Sequence, residues 1–136
     1  HLDLIKGMGG ALLREKLVEI EAARLVIMVD ESKPVPRLGM RAPVPVEIVR
    51  FGWHTTRERL KALGLRPALR GGERQPFTTD GGNVICDCSF ESSDVATLAR
   101  DIKATTGVVE HGFFLGMATD LVVGRADGSV EHRTRK

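Results

Sequence analysis

The stretch ALLREKLVEIEAARLVIMVD, residues 11–30, decides the fold class because two different elements follow one another in it. From Leu13 onward, apolar residues recur at i, i+4 and i+7, which predicts an amphipathic helix over residues 11–23. Residues 24–30, RLVIMVD, then hold a continuous apolar run that is rich in β-branched side chains and ends at Asp30. Such a run is typical of a buried strand in a parallel sheet. A helix followed by that strand predicts part of an α/β layer.

A proline-rich segment follows this layer. Residues 31–45 contain four of the six prolines of the chain, which predicts a loop and a domain boundary. Beyond it, the pattern predicts the order strand, helix, strand, strand, helix, strand, which is the split-βαβ, ferredoxin-like order. The predicted strands are residues 45–51, 65–70, 83–90 and 108–114, and the predicted helices are residues 53–64 and 92–107.

Turn and cap residues separate these elements. Gly64 is the predicted C-cap of the first of the two helices, and Gly107 that of the second. Ser92 or Ser93 is the predicted N-cap of the second helix. Residues 119–133 predict a final hairpin with Asp-Gly in its turn.

The composition excludes several classes of protein. A net charge of +2 gives no drive towards nucleic acid or membrane, and 4% aromatic residues without tyrosine argue against a base-stacking platform. No apolar run approaches the roughly 20 residues of a transmembrane helix. Cys86 and Cys88 are too closely spaced for an ordinary disulfide, which favours a cytoplasmic protein. The chain starts at His1 in what resembles the middle of a strand, so we expect a fragment of a longer protein.

The glycine-rich stretch LIKGMGGALLREK, residues 4–16, has several possible functions. A dinucleotide fingerprint would need glycine where the chain has Leu12, and no Gly-Lys-Ser/Thr follows to make a P-loop. A plain turn that leads into a surface helix is the simplest interpretation. The alternative is an active site, in which glycines admit a ligand to the backbone and a helical glutamate acts as a base. The residue types permit this alternative without selecting it.

Five segments of the chain together resemble type A ribose-5-phosphate isomerases. They are DLIKGMGGALLREK, VIMVDESK, LG…PVPVEIV, TTDGGNVICD and GVVEHGFF, which occur in the family's order over nearly the whole chain. The most specific is K-G-x-G-G-A-L-x-R-E-K, followed by a D-x-S-K block whose lysine falls eighteen residues after the glutamate. The chain departs from the family at Met8 and Gly81, where glycine and asparagine are more usual. It also lacks the family's serine/threonine-rich phosphate loop and its D-G-x-D-E motif.

The resemblance implies an aldose–ketose isomerase of the non-oxidative pentose phosphate pathway. It would interconvert D-ribose 5-phosphate and D-ribulose 5-phosphate through an enediolate, with no metal and no cofactor. By motif match, Glu15 is the general base that moves a proton between C2 and C1, and Lys33 contacts the substrate near its phosphate. The substrate-binding residues implied by the match are Lys6, Gly7, Met8, Gly9 and Lys33.

The predicted fold class is α/β, with a partial Rossmann-like parallel sheet layer and a ferredoxin-like α+β subdomain. Residues 1–40 would belong to the Rossmann-like catalytic domain, 41–115 to the ferredoxin-like subdomain, and 116–136 to returning strands of the catalytic domain. The expected partner is a sugar phosphate, with no nucleic acid and no membrane, and the expected assembly is a homodimer or homotetramer. The alternative function is a non-catalytic ferredoxin-like module for assembly or small-molecule sensing. Asp30, at the end of a predicted strand, is either a supporting site residue or the cap of the turn after it.

Overall fold

Three sheets and three helices make up the computed structural model, which describes residues 1–136. The helices are α1 (Leu12–Glu19), α2 (Trp53–Ala62) and α3 (Val95–Lys103). The strands are β1 (Leu4–Ile5), β2 (Val26–Asp30), β3 (Val44–Ile48), β4 (Arg66–Leu69), β5 (Val84–Ser89), β6 (Val108–His111), β7 (Phe113–Phe114), β8 (Asp120–Gly124) and β9 (Val130–Thr134). None of the helices has the length and apolarity that crossing a bilayer requires.

The largest sheet is antiparallel and has the strand order β4-β5-β3-β6. With α2 and α3 between its strands in the chain, it has the split-βαβ arrangement that the sequence predicts. The fold class is therefore confirmed, and the domain boundaries at residues 40 and 115 stay a prediction. Most of the buried apolar side chains lie against this sheet, in one cluster: Val44, Val46, Ile48, Leu60, Leu65, Val84, Cys86, Cys88, Phe90, Leu98, Ala99, Ile102 and Phe113.

The two cysteines of β5 lie in this core. Because strand residues two positions apart share a face, Cys86 and Cys88 both point inward, and both are free thiols. Burial raises the pKa of Cys86 to about 11 and raises that of Cys88 further. Both thiols therefore remain protonated at neutral pH and act as small apolar core residues.

The caps of α3 differ from the prediction. Asp94 is the N-cap, because its carboxylate accepts a hydrogen bond from the Thr97 N–H, while the Ser92 hydroxyl accepts from Asp94 N–H instead. The helix ends at the C-cap Ala104, so Gly107 lies beyond it. Gly64 directly follows the C-cap of α2, close to its predicted place.

Helix α1 is shorter than the predicted 11–23. It ends at Glu19, because the next residues form tighter i to i−3 hydrogen bonds, from Glu21 N–H to Val18 and from Ala22 N–H to Glu19. Leu12, at its start, is fully buried. The helix therefore has a fixed beginning and an exposed end.

Strand β2 is parallel to β8, as the pattern predicts, and β8 and β9 form the predicted hairpin. The prediction that β2 is buried is wrong for this chain. The strand lies at the edge of a three-stranded sheet with β8 as its sole neighbour, and Val26 and Met28 are 42% and 79% exposed. Its outer side has no strand or helix of this chain to cover it.

The predicted strand 108–114 is broken at Gly112. Before the break β6 pairs with β3, and after it β7 pairs with β1 in the small sheet. A Cβ atom on Gly112 would lie 2.2 Å from the carbonyl oxygen of Lys6 and 2.8 Å from Pro45 Cδ. The absence of a side chain at this position lets three segments meet, and the Lys6 N–H donates to Gly112 O at 2.9 Å.

Candidate active site

Lys6 emerges from the end of β1, and its ammonium lies between two carboxylates of α1. It is 3.6 Å from Glu15 Oε2 and forms a shorter ion pair with Glu19. The ring of Phe114 lies beneath it, with its centroid 5.1 Å from the nitrogen. The Lys6 side chain is about one-quarter exposed, so the charge sits at a partly desolvated surface where it interacts more strongly than in water.

Glu15 and Glu19 are four residues apart and therefore share one face of α1. In each, the Oε2 atom is buried and accepts no hydrogen bond. A general base needs an oxygen that is free to receive a proton. Glu15 has such an oxygen beside a lysine, and although its Oε2 atom is buried, the side chain as a whole is 39% exposed.

The loop between β1 and α1 brings backbone groups to the same place. Gly7 has a φ of +109°, which L side chains rarely adopt, and a Cβ there would lie 2.9 Å from Leu12 Cβ. Gly9 faces open space, since a Cβ added to it would have no atom within 4 Å, and Met8 is 56% exposed. The N–H groups of Met8 and Gly9 donate to no acceptor in the chain. The loop thus presents two free backbone donors in the segment that directly follows Lys6.

Lys33 is not part of this cluster. It lies in the exposed turn after β2, where its N–H donates to Asp30 O, and its ammonium forms no ion pair or hydrogen bond. Asp30 caps that turn: its carboxylate accepts from the N–H and the hydroxyl of Ser32, and these hydrogen bonds lower its pKa. The structure thus favours the turn-cap interpretation of Asp30.

Helix α1 is also fixed by Lys16, the residue after Glu15. Its ammonium donates to Glu110 Oε1 at 3.0 Å and to the carbonyls of His111 and Phe113 at 2.6 and 2.9 Å. Burial lowers the pKa of Lys16. For Glu110, burial raises the pKa, but hydrogen bonds from Lys103, the His111 N–H and Lys16 outweigh it and the net pKa is lowered. These contacts hold α1 in place at Lys16, the residue that directly follows Glu15.

Sequence reasoning missed two residues that touch the predicted site. Glu19 could have been found, because it lies one helical turn after Glu15 on the same face. Arg70 donates to the carbonyls of Gly7 and Met8, both at 3.1 Å, from 62 to 63 positions further along the chain. No local pattern indicates a contact over that separation.

The turn DGGN, residues 80–83, also lies near the start of α1. Asp80 is 3.4 Å from Arg14 of the helix, and both side chains are exposed. Asn83 donates to the buried carboxylate of Glu47 at 2.9 Å. These contacts connect the ferredoxin-like sheet to the beginning of α1 and assign no chemistry to the turn.

Known proteins match the chain over most of its length. A family model described as "Ribose 5-phosphate isomerase A (phosphoriboisomerase A)" matches residues 1–128. Ribose-5-phosphate isomerase A of Synechococcus sp. (strain JA-3-3Ab) is 54% identical over 129 residues, which are 93% of this chain and 56% of the relative. The corresponding protein of Deinococcus radiodurans is 48% identical, covering 99% of this chain and 60% of its own length.

Solved structures agree with these relatives. Ribose 5-phosphate isomerase from Plasmodium falciparum has a TM-score of 0.92 and 39% identity, covering 99% of this chain and 60% of that one. A D-ribose-5-phosphate isomerase in complex with phospho-erythronic acid has a TM-score of 0.91 and 34% identity. This match covers 98% of this chain and 59% of that one. This chain therefore spans 56–60% of the length of these relatives. With a family match that takes in all but the last eight residues, the chain belongs to the ribose 5-phosphate isomerase A family.

Proposed function

We propose that the protein interconverts D-ribose 5-phosphate and D-ribulose 5-phosphate, an aldose–ketose isomerisation. The observation that carries the proposal is the Lys6 ammonium 3.6 Å from Glu15 Oε2, beside a loop with two unpaired N–H groups. A base, a cation and backbone donors in one place are what proton transfer next to a carbonyl requires.

In the proposed reaction, the Glu15 carboxylate removes the proton from C2 of the open-chain sugar. The electron pair forms the C1–C2 double bond, and the carbonyl oxygen becomes an enediolate oxyanion. The same carboxyl group returns the proton to C1, while a second proton moves from O2 to O1, so atoms and charge balance. The Lys6 ammonium and the N–H groups of Met8 and Gly9 would stabilise the oxyanion, because fixed donors act most strongly where charge develops.

Lys33 is proposed to contact the phosphate end of the substrate. Its support is its position in the D-x-S-K block, directly after a strand of a parallel pair, where α/β folds bind ligands. Its ammonium has no partner within the chain and so remains available to an anion. Glu19 is proposed to hold the Lys6 ammonium in place through their ion pair.

The non-catalytic module is the second candidate, and no observation favours it. The family match includes strands of all three sheets rather than being limited to the ferredoxin-like part. A sensing module would also have no need for a lysine and a glutamate with a free oxygen in one cluster. We further propose a cytoplasmic homodimer or homotetramer, supported by the family resemblance and the two free cysteines. Light scattering of the purified protein would test the assembly.

The test uses protein expressed from its complete reading frame, with isomerisation of ribose 5-phosphate as the readout. Glu15→Gln keeps the shape of the side chain and removes the base, so kcat should fall by about 100-fold or more. Glu21→Gln, an exposed glutamate just after α1, is the matched control and should keep the wild-type rate. Substrate deuterated at C2 should react more slowly with wild-type protein. A folded wild-type protein without activity on this sugar would contradict the proposal.

A further inference from the structure

Arg70 clamps the glycine loop from the ferredoxin-like sheet. It directly follows β4, and its Nη1 atom donates to Gly7 O and Met8 O, each at 3.1 Å. Its other two nitrogens form a bidentate pair with Asp87 of β5, at 2.9 Å from Nε to Oδ2 and 2.6 Å from Nη2 to Oδ1. The Phe77 ring lies against the guanidinium, with 5.6 Å between the ring centroid and Cζ. The Arg70 side chain is only 17% exposed. Its position is fixed by three contacts: with the loop carbonyls, with Asp87 and with the Phe77 ring.

Because a peptide bond is planar, fixing a carbonyl group also fixes the N–H of the next residue on the other side of the chain. In a trans peptide unit, the carbonyl oxygen and the N–H of the next residue point in opposite directions. The chain contains no cis peptide bond. By holding the Gly7 and Met8 carbonyls, Arg70 therefore also fixes the Met8 and Gly9 N–H groups, which point away from the guanidinium. These are the two loop donors without an acceptor in the chain.

We propose that Arg70, held by Asp87, is a positioning residue for the isomerisation. It orients the two peptide units of the loop so that the Met8 and Gly9 N–H groups face the reacting oxygen of the sugar. This inference rests on the proposed function. It also accounts for a bulky residue at position 8, because the clamp uses the backbone of Met8 and leaves its side chain exposed.

The first variant is Arg70→Met, which keeps much of the apolar stem and removes all hydrogen bonds. An oxyanion is present in the transition state and absent from the substrate, so the loss should fall mainly on kcat. We expect kcat to decrease by about 10- to 100-fold, in the range for misplaced groups and lost oxyanion donors, with KM changed by less than about threefold. Arg66→Met, at the start of the strand that Arg70 follows and with an exposed ion pair to Glu91, is the control and should keep both constants.

Three further variants separate positioning from general packing. Asp87→Asn keeps the shape of the partner and weakens its hold on Arg70, so kcat should fall in the same direction but less. The double variant Arg70→Met/Asp87→Asn should be no slower than Arg70→Met, because both changes act through one clamp. Arg70→Lys should restore only part of kcat, because one ammonium cannot hold a bidentate carboxylate and two carbonyls together.

Specific results would overturn the inference. A folded Arg70→Met variant with wild-type kcat, or with a raised KM alone, would contradict it, as would full rescue by Arg70→Lys. If Arg70→Met fails to fold by circular dichroism, then Asp87→Asn with an unchanged kcat overturns it. Wild-type activity that Glu15→Gln abolishes keeps the proposed function intact in each of these cases, so the two failures are distinguishable.

Discussion

The ammonium of Lys16 lies 2.9 Å from the carbonyl oxygen of Phe113, which is 97 positions away in the sequence. Because Lys16 follows Glu15 directly on α1, this contact ties the predicted base to the junction of β6 and β7. Phe113 in turn pairs with Ile5, the residue before Lys6. The base and its neighbouring cation are thus both attached to the same two-stranded sheet.

Lys16→Met should destabilise the protein by about 2–3 kcal/mol, less than the roughly 3–5 kcal/mol for removing the sole partner of a buried charge, because Glu110 keeps its ion pair with Lys103. Glu110 loses one of its two lysine partners, and two backbone carbonyls lose a donor. Urea denaturation with an unchanged m-value would measure the loss. Lys103→Met is the control, because Lys103 is 52% exposed and should contribute less than about 1 kcal/mol. Equal effects of the two substitutions would contradict this assignment.

His111 should make stability dependent on pH. Burial and the nearby Lys16 lower its pKa from 6.5 to about 4, against the attraction of Glu110. Its Nδ1 accepts a hydrogen bond from the Phe113 N–H, which a proton on that nitrogen would prevent. Between pH 4 and 6.5 the unfolded chain binds a proton that the folded chain does not. Stability is therefore complete above pH 6.5 and should fall by up to about 3 kcal/mol as the pH decreases towards 4.

Denaturant titrations at several pH values between 4 and 7 would measure the slope of the unfolding free energy against pH. His111→Asn should flatten it, and His54→Gln, which changes an exposed histidine on α2, should retain it. The other charged groups that act on the pKa of His111 are Lys16 and Lys103, which lower it, and Glu110, which raises it. A slope that persists unchanged in His111→Asn would contradict the assignment.

The sequence predicts what depends on local periodicity and turn chemistry. The ferredoxin-like order, the parallel β2 and the final hairpin follow from apolar runs and glycine-containing turns, and the structure confirms them. Lys6 and Glu15 are also close in the sequence, and the glycine loop between them lets their side chains meet. In each case the determining residues lie within about ten positions of one another.

What could not be predicted depends on contacts between distant segments. The break at Gly112 is set by the close approach of Lys6 and Pro45, and the clamp on the glycine loop comes from Arg70. The exposure of β2 likewise depends on which elements lie beside it, which its own apolar run does not specify. The N-cap of α3 is Asp94 and not the predicted Ser92 or Ser93, because three neighbouring side chains offer an acceptor oxygen and the pattern does not specify which one the helix uses.

Gly112→Ala tests the close approach at the base of the site. The added Cβ would lie 2.2 Å from Lys6 O, so the backbone must shift, and we expect a loss of about 1–3 kcal/mol with a lower kcat because Lys6 moves. Gly124→Ala is the matched control, because its Cβ would have no atom nearer than Val29 O at 4.0 Å. Thermal unfolding and the isomerase assay measure both effects. Wild-type stability and activity in Gly112→Ala would show that Gly112 is not tightly packed against Lys6 and Pro45.

Lys33→Gln tests the proposed phosphate contact. A charge-assisted hydrogen bond to phosphate contributes about 1.5–3 kcal/mol, so KM should rise by about 10- to 100-fold. The phosphate is distant from the reacting carbons and binds equally in ground and transition states, so kcat should change little. Lys136→Gln, at the exposed C-terminus, is the control. In the wild type the KM should increase with salt, and this dependence should weaken in Lys33→Gln. A lower kcat at constant KM would instead place Lys33 at the reacting end of the sugar.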